Sequence, residues 1–370
     1  MANIRAFGDD LMKICYLAAA NSVHTKKWCN YFTQMGYDIH VISLTKGTIE
    51  GAMVHYVGQE DLAEKCLVQK LKYLTALGRI KRLIKNIQPD ILHAHYATSY
   101  GLIGTLLRFH PFVLSVWGSD VYIFPKSNII NRLIIKNNFD KADFILSTSY
   151  DMKREISLYT NKNILVTPFG INIEKFRPLN NMKNDEKFII GNIKTLKKVY
   201  ANHNLIRAYK LFTDKYNDVD CELRLAGIGP ELDNLKNLVN ELGIHEKVKF
   251  LGFLDEDEVI KQFNEFNIAI IPSLSESFGV SALEAQSCAT PVIVSNVGGL
   301  PEVIENGKTG FLVEPNDVEG IFKYIETLYL NKQLRETMGV EGRKFVEEKY
   351  NLINNLGIVD DFYKSIIDKN

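Results

Sequence analysis

The sequence predicts an α/β protein built from two Rossmann-like domains, each a doubly wound parallel sheet, that face each other across a cleft. The chain has 370 residues, which is enough for two domains of ordinary size. Short buried strands alternate with helical segments, a pattern typical of parallel sheets covered on both faces. After Pro178 a polar stretch without periodicity interrupts this alternation, and the same pattern then starts again.

The first half contains seven short segments that we interpret as buried strands. They read KICYL, IHVISL, MVHYV, DILHAH, FVLSVW, FILST and ILVTPF. Helical spacing of apolar residues follows most of them, near residues 24–35, 62–87, 99–109, 129–139 and 149–159. We therefore expect one domain at residues 12–178, preceded by a disordered extension at residues 1–11.

The second half repeats the alternation with six further strands. They read FIIGNI, ELRLAG, VKFLGF, IAIIP, PVIVSN and GFLVE. Helices are expected near residues 201–215, 230–242, 255–265 and 280–288. The second domain should therefore span residues 187–350. A last helix at residues 351–370 follows, and it could pack back on the first domain.

The composition favours a globular protein of the cytoplasm. Hydrophobic residues make up 46% and charged residues 24% of the chain, as in ordinary folded domains. No apolar run reaches the roughly 18 residues of a membrane-spanning helix, and the opening lacks the pattern of a secretory signal. The five cysteines are scattered without a CxxC pair, which fits small core residues in a reducing compartment.

Charge is unevenly distributed along the chain. Up to Phe176 there are 21 Lys and Arg against 14 Asp and Glu, whereas the whole chain has a net charge of zero. A basic half joined to an acidic half suggests a face that meets something anionic. Scatter of charge between two solvated domains is an equally simple interpretation.

The segment that begins at Pro272 carries most of the functional inference. It reads PSLSESFGVSALEAQSC, a loop followed by a helix. A helix N-terminus has N–H groups without helical partners and a partial positive charge, which favour a phosphate, and Gly279 has no Cβ to keep an anion away. Glu276 and Glu284 flank this start, and carboxylates accept hydrogen bonds from sugar hydroxyls. A loop glutamate and a solvated helix glutamate are the plainer interpretation.

This segment resembles a known enzyme family. ESFGVSALE resembles the E-x7-E motif of family-four retaining glycosyltransferases, with Glu276 and Glu284 as its two carboxylates. The following TPVIVSNVGGLPEVIENGKTGFLVEPND resembles the C-terminal domain of that family, and ADFILSTS, TPFGINIEKFRP and AGIGPEL resemble its connecting motifs. The resemblance extends from Met12 to the end of the chain and implies the GT-B fold with a nucleotide-sugar donor.

The resemblance also implies roles for individual residues of the second domain. Glu284 would bind the ribose hydroxyls of the nucleotide, and Glu276 would contact the hydroxyls of the transferred sugar. The backbone amides that would meet the sugar or the phosphates are those of Phe278, Gly279 and Val280.

Basic residues should face the diphosphate, because the charge of the leaving group must be stabilised. The family places an Arg and a Lys five residues apart after the first strand of the second domain. Lys194 matches the first position, whereas Val199 stands at the second, so Lys198 or Lys197 could supply the charge after a small shift in register. No D-x-D motif is convincing, and we expect neither a metal ion nor another cofactor. Solvated loop lysines are the plainer interpretation.

The first domain offers His24, His95 and Asp120 as candidates for contact with the acceptor or the transferred sugar. The segment ANSVHTKKWCNYF resembles the opening of one bacterial subgroup and puts His24 near a helix start, while HAHYATSYG puts His93 and His95 on one face of a strand. A metal site formed by His93 and His95 would lack a third ligand.

SVWGSDVY resembles the H-G-S-D segment of the family, with Trp117 in place of histidine. It makes Asp120 the candidate for catalytic contact with acceptor or sugar. A capping histidine, a core histidine and a turn aspartate are the plainer interpretations.

Residues 62–87 combine seven basic side chains with apolar ones at helical spacing. Such a helix can lie on an anionic bilayer, and a helix with one core face and one solvated face is the alternative. With the charge asymmetry, this pattern favours peripheral attachment to the inner face of the cell membrane. The expected partners are a nucleotide-sugar donor and a saccharide or lipid-linked acceptor, and nucleic acid is not expected.

These features predict a retaining, metal-independent hexosyltransferase. It would move a hexose or N-acetylhexosamine from a nucleotide-sugar to a saccharide or lipid-linked acceptor in cell-surface polysaccharide synthesis. A UDP-sugar is expected as the donor in preference to a GDP-sugar. A sugar-nucleotide epimerase on a similar fold is one alternative. A non-catalytic nucleotide-sugar-binding protein is another, and it would account for the departures from the family's motifs at Trp117 and Val199. A nicotinamide oxidoreductase is disfavoured, since no G-x-G-x-x-G follows the first strand.

Overall fold

The computed structural model describes residues 11–58, 76–180, 182 and 187–368, and the chain divides into two compact units. Unit 1 comprises Met1–Thr167 together with Leu356–Asn370, and unit 2 comprises Pro168–Asn355. Each unit is a parallel sheet with helices, so the predicted pair of Rossmann-like domains is confirmed. The predicted extension at residues 1–11 lies outside the described residues except for Leu11.

The described part of unit 1 contains seven parallel strands in the order β3-β2-β1-β4-β5-β6-β7. The strands are β1 Lys13–Leu17, β2 Asp38–Ser43, β3 Met53–Tyr56, β4 Ile91–His95, β5 Phe112–Val116, β6 Phe144–Ser147 and β7 Ile164–Val166. Its described helices are α1 Val23–Gln34, α2 Leu77–Ile87, α3 Ser99–Leu107, α4 Ser119–Tyr122, α5 Phe124–Ser127, α6 Ile129–Lys141 and α7 Tyr150–Ile156.

Among its described residues, unit 2 has six parallel strands in the order β10-β9-β8-β11-β12-β13. The strands are β8 Phe188–Ile193, β9 Cys221–Ala226, β10 Val248–Gly252, β11 Ile268–Ile271, β12 Val292–Ser295 and β13 Gly310–Val313. Its helices are α8 Asn202–Lys215, α9 Leu232–Glu241, α10 Glu256–Glu265, α11 Val280–Ser287, α12 Val318–Leu330 and α13 Lys332–Lys349, and α14 Leu352–Ile367 belongs to unit 1 from Leu356 onward.

The strands form where the sequence is apolar on both faces, because helices cover both sides of a parallel sheet. In the central strand β1, every residue from Ile14 to Leu17 is buried, and Ile14 pairs with Ile91 of β4. Polar side chains mark helix starts: Ser22 caps α1, and Asp255 forms a capping box with Glu258 at α10. None of the described helices has the length and hydropathy needed to cross a membrane.

The boundary between the units falls at Thr167, whereas the sequence placed it at residue 178. The intervening segment is held inside unit 2 by its backbone. The amide of Ile171 donates to the carbonyl of Tyr350 at 2.7 Å. The carbonyl of Phe176 accepts hydrogen bonds from the Ser287 hydroxyl and the Arg343 guanidinium, both at 2.6 Å.

Both sheets have the same reversal of strand order. In unit 1 the chain adds β2 and β3 on one side of β1 and then returns to place β4 on the other side, and in unit 2 it does the same around β8 and β11. Open α/β sheets bind ligands at the carboxyl ends of such neighbouring strands, at the topological switch point. The loops after β1, β4, β8 and β11 are therefore the places to look for function.

Candidate functional site

The switch point of unit 2 brings together two loops that are far apart in the sequence. β8 and β11 are neighbouring parallel strands, with Ile190 opposite Ile268, so their carboxyl ends lie at the same edge of the sheet. Lys194 directly follows β8, and the loop at residues 272–279 directly follows β11. The site therefore lies where the topology favours ligand binding.

Lys194 and Glu276 form an ion pair at this edge. The Nζ atom of Lys194 lies 2.6 Å from Oε2 of Glu276, and the two side chains are only 17% and 9% exposed. The same ammonium lies 4.8 Å from the centre of the Tyr200 ring, a cation–π distance. The sequence predicts Glu276, Lys194 and Asp120 as the catalytic residues, and the first two are thus in direct contact. Partial shielding from water strengthens the electrostatic interactions of both.

A glycine-containing loop after β9 fixes the backbone of Lys194. The Lys194 amide donates to the carbonyl of Ala226, and the Leu196 amide donates to the carbonyl of Ile228, both at 3.0 Å. Gly227 has a φ of +126°, and a Cβ on it would collide with the Lys194 carbonyl. Only glycine suits this close approach, which gives the AGIGPEL segment a physical role in positioning the lysine.

A pair of glycines after β12 supports Glu276 in the same way. The Gly299 amide donates to the Glu276 carbonyl at 3.1 Å. A Cβ on Gly298 would lie far inside van der Waals contact with that carbonyl, and one on Gly299 would lie 2.6 Å from the carbonyl oxygen of Ser277. This supporting role was not predicted from the sequence, although two consecutive glycines in the loop after a strand signal a close backbone approach.

The helix α11 begins beside these loops. Its N-cap Gly279 has a φ of +109°, and an added Cβ would lie 2.8 Å from the Leu300 side chain, so the position requires glycine. The amides of Ala282 and Leu283 both donate to the Gly279 carbonyl. The earlier amides of the first turn, including that of Val280, have no carbonyl within the helix to bond. The helix start can therefore offer N–H donors to an anion.

Three further side chains define this helix start. The Ser281 hydroxyl donates to the Ile193 carbonyl at 3.0 Å, which ties the first turn of α11 to the end of β8. The Phe278 ring is buried against Phe169, so only its backbone can make the predicted donor contact. Glu284 lies on α11 and is half-buried. The structure thus places the predicted donor-binding residues of the E-x7-E segment on one loop and one helix.

Lys198 and Val199 lie in a short 3₁₀ helix at Lys198–Tyr200. The Lys198 side chain is exposed. The carbonyl of Val199 accepts a hydrogen bond from the Leu274 amide at 2.8 Å, so the backbone at this position supports the loop that carries Glu276. The donor contact of Lys198 stays a prediction.

In unit 1, Asp120 supports the loop after β5. It is 1% exposed, and its carboxylate accepts hydrogen bonds from the amides of Ala97 at 2.8 Å, Gly118 at 2.7 Å and Trp117 at 3.3 Å. Burial raises the pKa of Asp120, and the backbone donors oppose that rise. The carboxylate therefore stabilises a turn in this structure, because both of its oxygens accept hydrogen bonds from backbone amides. This is the structural role that the sequence pattern left open as the alternative to a catalytic one.

His95 lies at the end of β4, at the switch point of unit 1, and is buried. Its Nδ1 atom lies 3.4 Å from the Thr25 hydroxyl, and its Nε2 atom has no hydrogen-bond partner in the described part of the chain. Burial, and then the neighbouring His93 and His24, lower the pKa of His95 well below its usual value. The imidazole is therefore neutral at physiological pH.

The rings of His24 and His95 both lie beside Trp117. The Trp117 ring centre is 4.3 Å from that of His95 and 5.8 Å from that of His24. His24 is half-buried in the first turn of α1, whose start Ser22 caps. The structure thus brings the two acceptor-side candidates together around the tryptophan that replaces the histidine of the family.

His93 belongs to the core rather than to a metal site. Its two ring nitrogens are hydrogen-bonded to the hydroxyls of Tyr363 and Ser115, and burial lowers its pKa to about 3. Over residues 11–58, 76–180 and 187–368, no group of three or more His, Cys, Asp or Glu side chains could hold a metal ion.

The predicted basic helix is described only from residue 76 onward, so residues 62–75 lie outside the described part. In α2, Ile80, Ile84 and Ile87 are buried, and all three pack in the core of unit 1. The prediction that the apolar face of this helix lies on a bilayer is therefore wrong for Leu77–Ile87. Its basic side chains remain exposed on the outer face.

Comparison with known proteins agrees with this geometry. A family model described as glycosyl transferase 4-like matches residues 13–149, within unit 1, and the model for glycosyl transferases group 1 matches residues 172–345, within unit 2. An uncharacterized glycosyltransferase of Methanocaldococcus jannaschii is 28% identical, over 84% of this chain and 89% of that protein. N-acetyl-alpha-D-glucosaminyl L-malate synthase of Bacillus anthracis is 29% identical, over 76% of each chain.

Among solved structures, Anabaena HepE in complex with UDP and glucose superimposes with a TM-score of 0.80 at 18% identity, over 96% of this chain and 100% of that chain. This likeness supports the fold alone. The two family models together span most of the chain, each within one unit. The protein therefore belongs to the family-four glycosyltransferases, enzymes of the GT-B fold class.

Proposed function

We propose that this glycosyltransferase moves a hexose or N-acetylhexosamine from a UDP-sugar to a saccharide or lipid-linked acceptor, with retention of anomeric configuration and without a metal ion. The observation that carries the proposal is the Lys194–Glu276 ion pair at the switch point of unit 2, on loops tied to the start of α11. A cation, a carboxylate and unpaired helix amides are the groups that a sugar diphosphate needs.

The donor binds with its diphosphate against the first turn of α11. The backbone amides of Gly279 and Val280 donate to phosphate oxygens, and the Lys194 ammonium neutralises part of their charge. Glu276 accepts hydrogen bonds from the hydroxyls of the transferred sugar. Glu284, further along the helix, accepts from the ribose hydroxyls.

Transfer then proceeds on one face of the sugar. The bond between the anomeric carbon and the diphosphate oxygen breaks, and the electron pair leaves with the diphosphate, whose charge Lys194 and the helix start stabilise. The acceptor hydroxyl forms the new bond from the same face and passes its proton to the departing phosphate oxygen. This route explains why no pair of carboxylates flanking the scissile bond is required.

UDP is favoured as the nucleotide and a sugar of the hexose or N-acetylhexosamine class as the donor. HepE has been solved with UDP and glucose, and the Bacillus relative is named N-acetyl-alpha-D-glucosaminyl L-malate synthase. We propose that the acceptor belongs to cell-surface polysaccharide synthesis and that the enzyme works in the cytoplasm, at the inner face of the cell membrane.

The test is a thermal-shift panel of UDP- and GDP-sugars, followed by transfer assays with membrane extract as the acceptor source. A ligand at 100 times its Kd adds about 2.7 kcal/mol of stability, so a UDP-sugar should raise the melting temperature and a GDP-sugar should not. Incorporation of labelled sugar into the extract supports transfer. Conversion of the UDP-sugar without any acceptor would instead indicate an epimerase, and donor binding without turnover would indicate a binding protein.

A further inference from the structure

Three helices of unit 1 cover the same side of its sheet. Ile80 of α2, Ile103 of α3 and Ile135 of α6 are buried in one apolar core, together with the strand residues Leu92 and Leu114. Because these side chains point toward the sheet, the opposite sides of the three helices form a common outer surface. We call the outer surface of residues 76–88, 99–109 and 123–141 the basic face.

The basic face carries charge of almost one sign. Its sequence contains nine Lys and Arg and one acidic residue, Asp140. All nine basic side chains are exposed: Arg79, Lys81, Arg82, Lys85, Arg108, Lys126, Arg132, Lys136 and Lys141. The Lys126 ammonium is paired with Glu155 at 2.8 Å. Nine cations against so few carboxylates predict attraction to an extended anionic surface.

A cluster of large apolar side chains lies within this charged surface. Ile123, Ile129, Ile130 and Leu133 are 65%, 67%, 64% and 58% exposed. Ile129 and Ile130 are four and three residues before Leu133, so the three share one side of α6. Ile129 also lines a surface groove together with Lys126, Arg132 and Leu158. Four neighbouring exposed apolar residues exceed the scattered single ones that ordinary surfaces show.

We propose that the basic face docks the enzyme on an anionic lipid bilayer, with Ile123, Ile129, Ile130 and Leu133 entering the interface. Exposed apolar side chains ringed by Lys and Arg are the combination that holds peripheral proteins at such an interface. This inference rests on the proposed lipid-linked acceptor, because docking would bring the enzyme to a substrate held in the membrane. It places the attachment on α6 and its neighbours, rather than on the apolar side of α2.

The test is co-sedimentation of the full chain with phosphatidylcholine vesicles, made with and without phosphatidylglycerol. The wild-type chain should bind the phosphatidylglycerol vesicles, bind pure phosphatidylcholine weakly, and dissociate as salt is raised. The double variant Ile130→Ser/Leu133→Ser should lose at least about tenfold in vesicle partitioning. The charge variant Arg82→Glu/Lys136→Glu should bind weakly and respond less to salt.

The matched control is Leu330→Ser/Val340→Ser, which removes exposed apolar side chains from unit 2 and should bind vesicles like the wild type. Stabilisation by UDP should be the same in all four proteins, which separates loss of docking from loss of fold or donor site. The docking proposal would be overturned if the wild-type chain bound neither type of vesicle, or if gel filtration showed that it self-associates through this face instead. Neither result would contradict the proposed glycosyl transfer. Equal binding by the Ile130/Leu133 variant would also overturn it.

Discussion

The two units share the same reversal of strand order but have very different side chains at their switch points. Beside β8 and β11, unit 2 places an ammonium and a carboxylate in contact, on loops that glycines hold in position. Beside β1 and β4, unit 1 buries a neutral imidazole against an indole ring. The fold thus fixes where a ligand can bind, and the side chains at the loop starts decide what kind of ligand it is.

The switch point of unit 2 suits an anionic ligand with many hydroxyl groups, whereas that of unit 1 has few charged groups available to a ligand. Lys194 and the start of α11 suit a diphosphate, whereas the buried carboxylate of Asp120 in unit 1 already serves the backbone. We therefore expect substitutions at the unit 2 switch point to affect donor chemistry most strongly. In unit 1, we expect the main measurable effect to be a dependence of stability on pH that comes from its buried histidines.

The largest effect should come from Glu276→Ala. Loss of the carboxylate removes the acceptor for the sugar hydroxyls and leaves Lys194 without its partner, so sugar transfer should fall by about 10²–10³-fold. Steady-state rates with a UDP-sugar measure this loss, with circular dichroism to check the fold. Glu246→Ala, at an exposed position of unit 2, is the control. Near-normal transfer by Glu276→Ala would remove this glutamate from the mechanism.

Lys194→Met should have the next largest effect. The substitution keeps most of the length of the side chain and removes the charge that stabilises the diphosphate, so kcat should fall by about 10²-fold. The exposed Lys236→Met variant serves as its control. If the two variants turned over equally, the departing charge would have to be stabilised by other groups.

Gly298→Ala tests whether the glycine pair positions Glu276. The added Cβ would strike the Glu276 carbonyl, so the loop must shift, and binding of the UDP-sugar should weaken about tenfold, or 1.4 kcal/mol. Gly307→Ala is a matched control, because Gly307 also has positive φ but meets nothing within 4 Å. Isothermal titration compares the two, and equal affinities would show that the contact with Glu276 is dispensable.

The smallest effect concerns the stability of unit 1 in acid. His93 and His95 have depressed pKa values in the fold, whereas an unfolded histidine titrates near pH 6.5. Below that pH the unfolded chain binds protons that the folded chain does not, so stability should fall as pH falls toward the His93 pKa of about 3. The slope is at most about 1.4 kcal/mol per pH unit for each histidine.

Tryptophan fluorescence can follow this change selectively, since both tryptophans of the chain, Trp28 and Trp117, lie in unit 1. Urea unfolding at neutral and at mildly acidic pH should show the loss of stability. The variant His93→Gln should have a shallower dependence on pH. Identical unfolding curves for the wild type at both pH values would contradict the neutral, buried state of these histidines.

Much of the fold could be predicted because its signals are local. The thirteen strands of the described residues all coincide with apolar runs such as KICYL and IAIIP. The helices at Ser119–Ser127 and at Val318–Lys349 were not predicted: the first two have four residues each, and the later pair follows the last strand, where no alternation remains to indicate it.

The candidate site was only partly predictable. Glu276 and Lys194 were identified from motif resemblance, but their contact depends on β8 and β11 being neighbours, a property of topology that local pattern does not contain. The same holds for the contact of Gly298 with Glu276, which depends on β12 lying beside β11. Asp120 shows the opposite case. Its motif predicted contact with a ligand, but its carboxylate accepts hydrogen bonds from backbone amides that only the folded loop brings close to it.

The most direct test is a crystal structure of the protein with UDP bound. We expect the diphosphate to lie within hydrogen-bonding distance of the Gly279 and Val280 amides and of the Lys194 ammonium, with the ribose near Glu284. A diphosphate bound at the switch point of unit 1, or anywhere away from the first turn of α11, would contradict it.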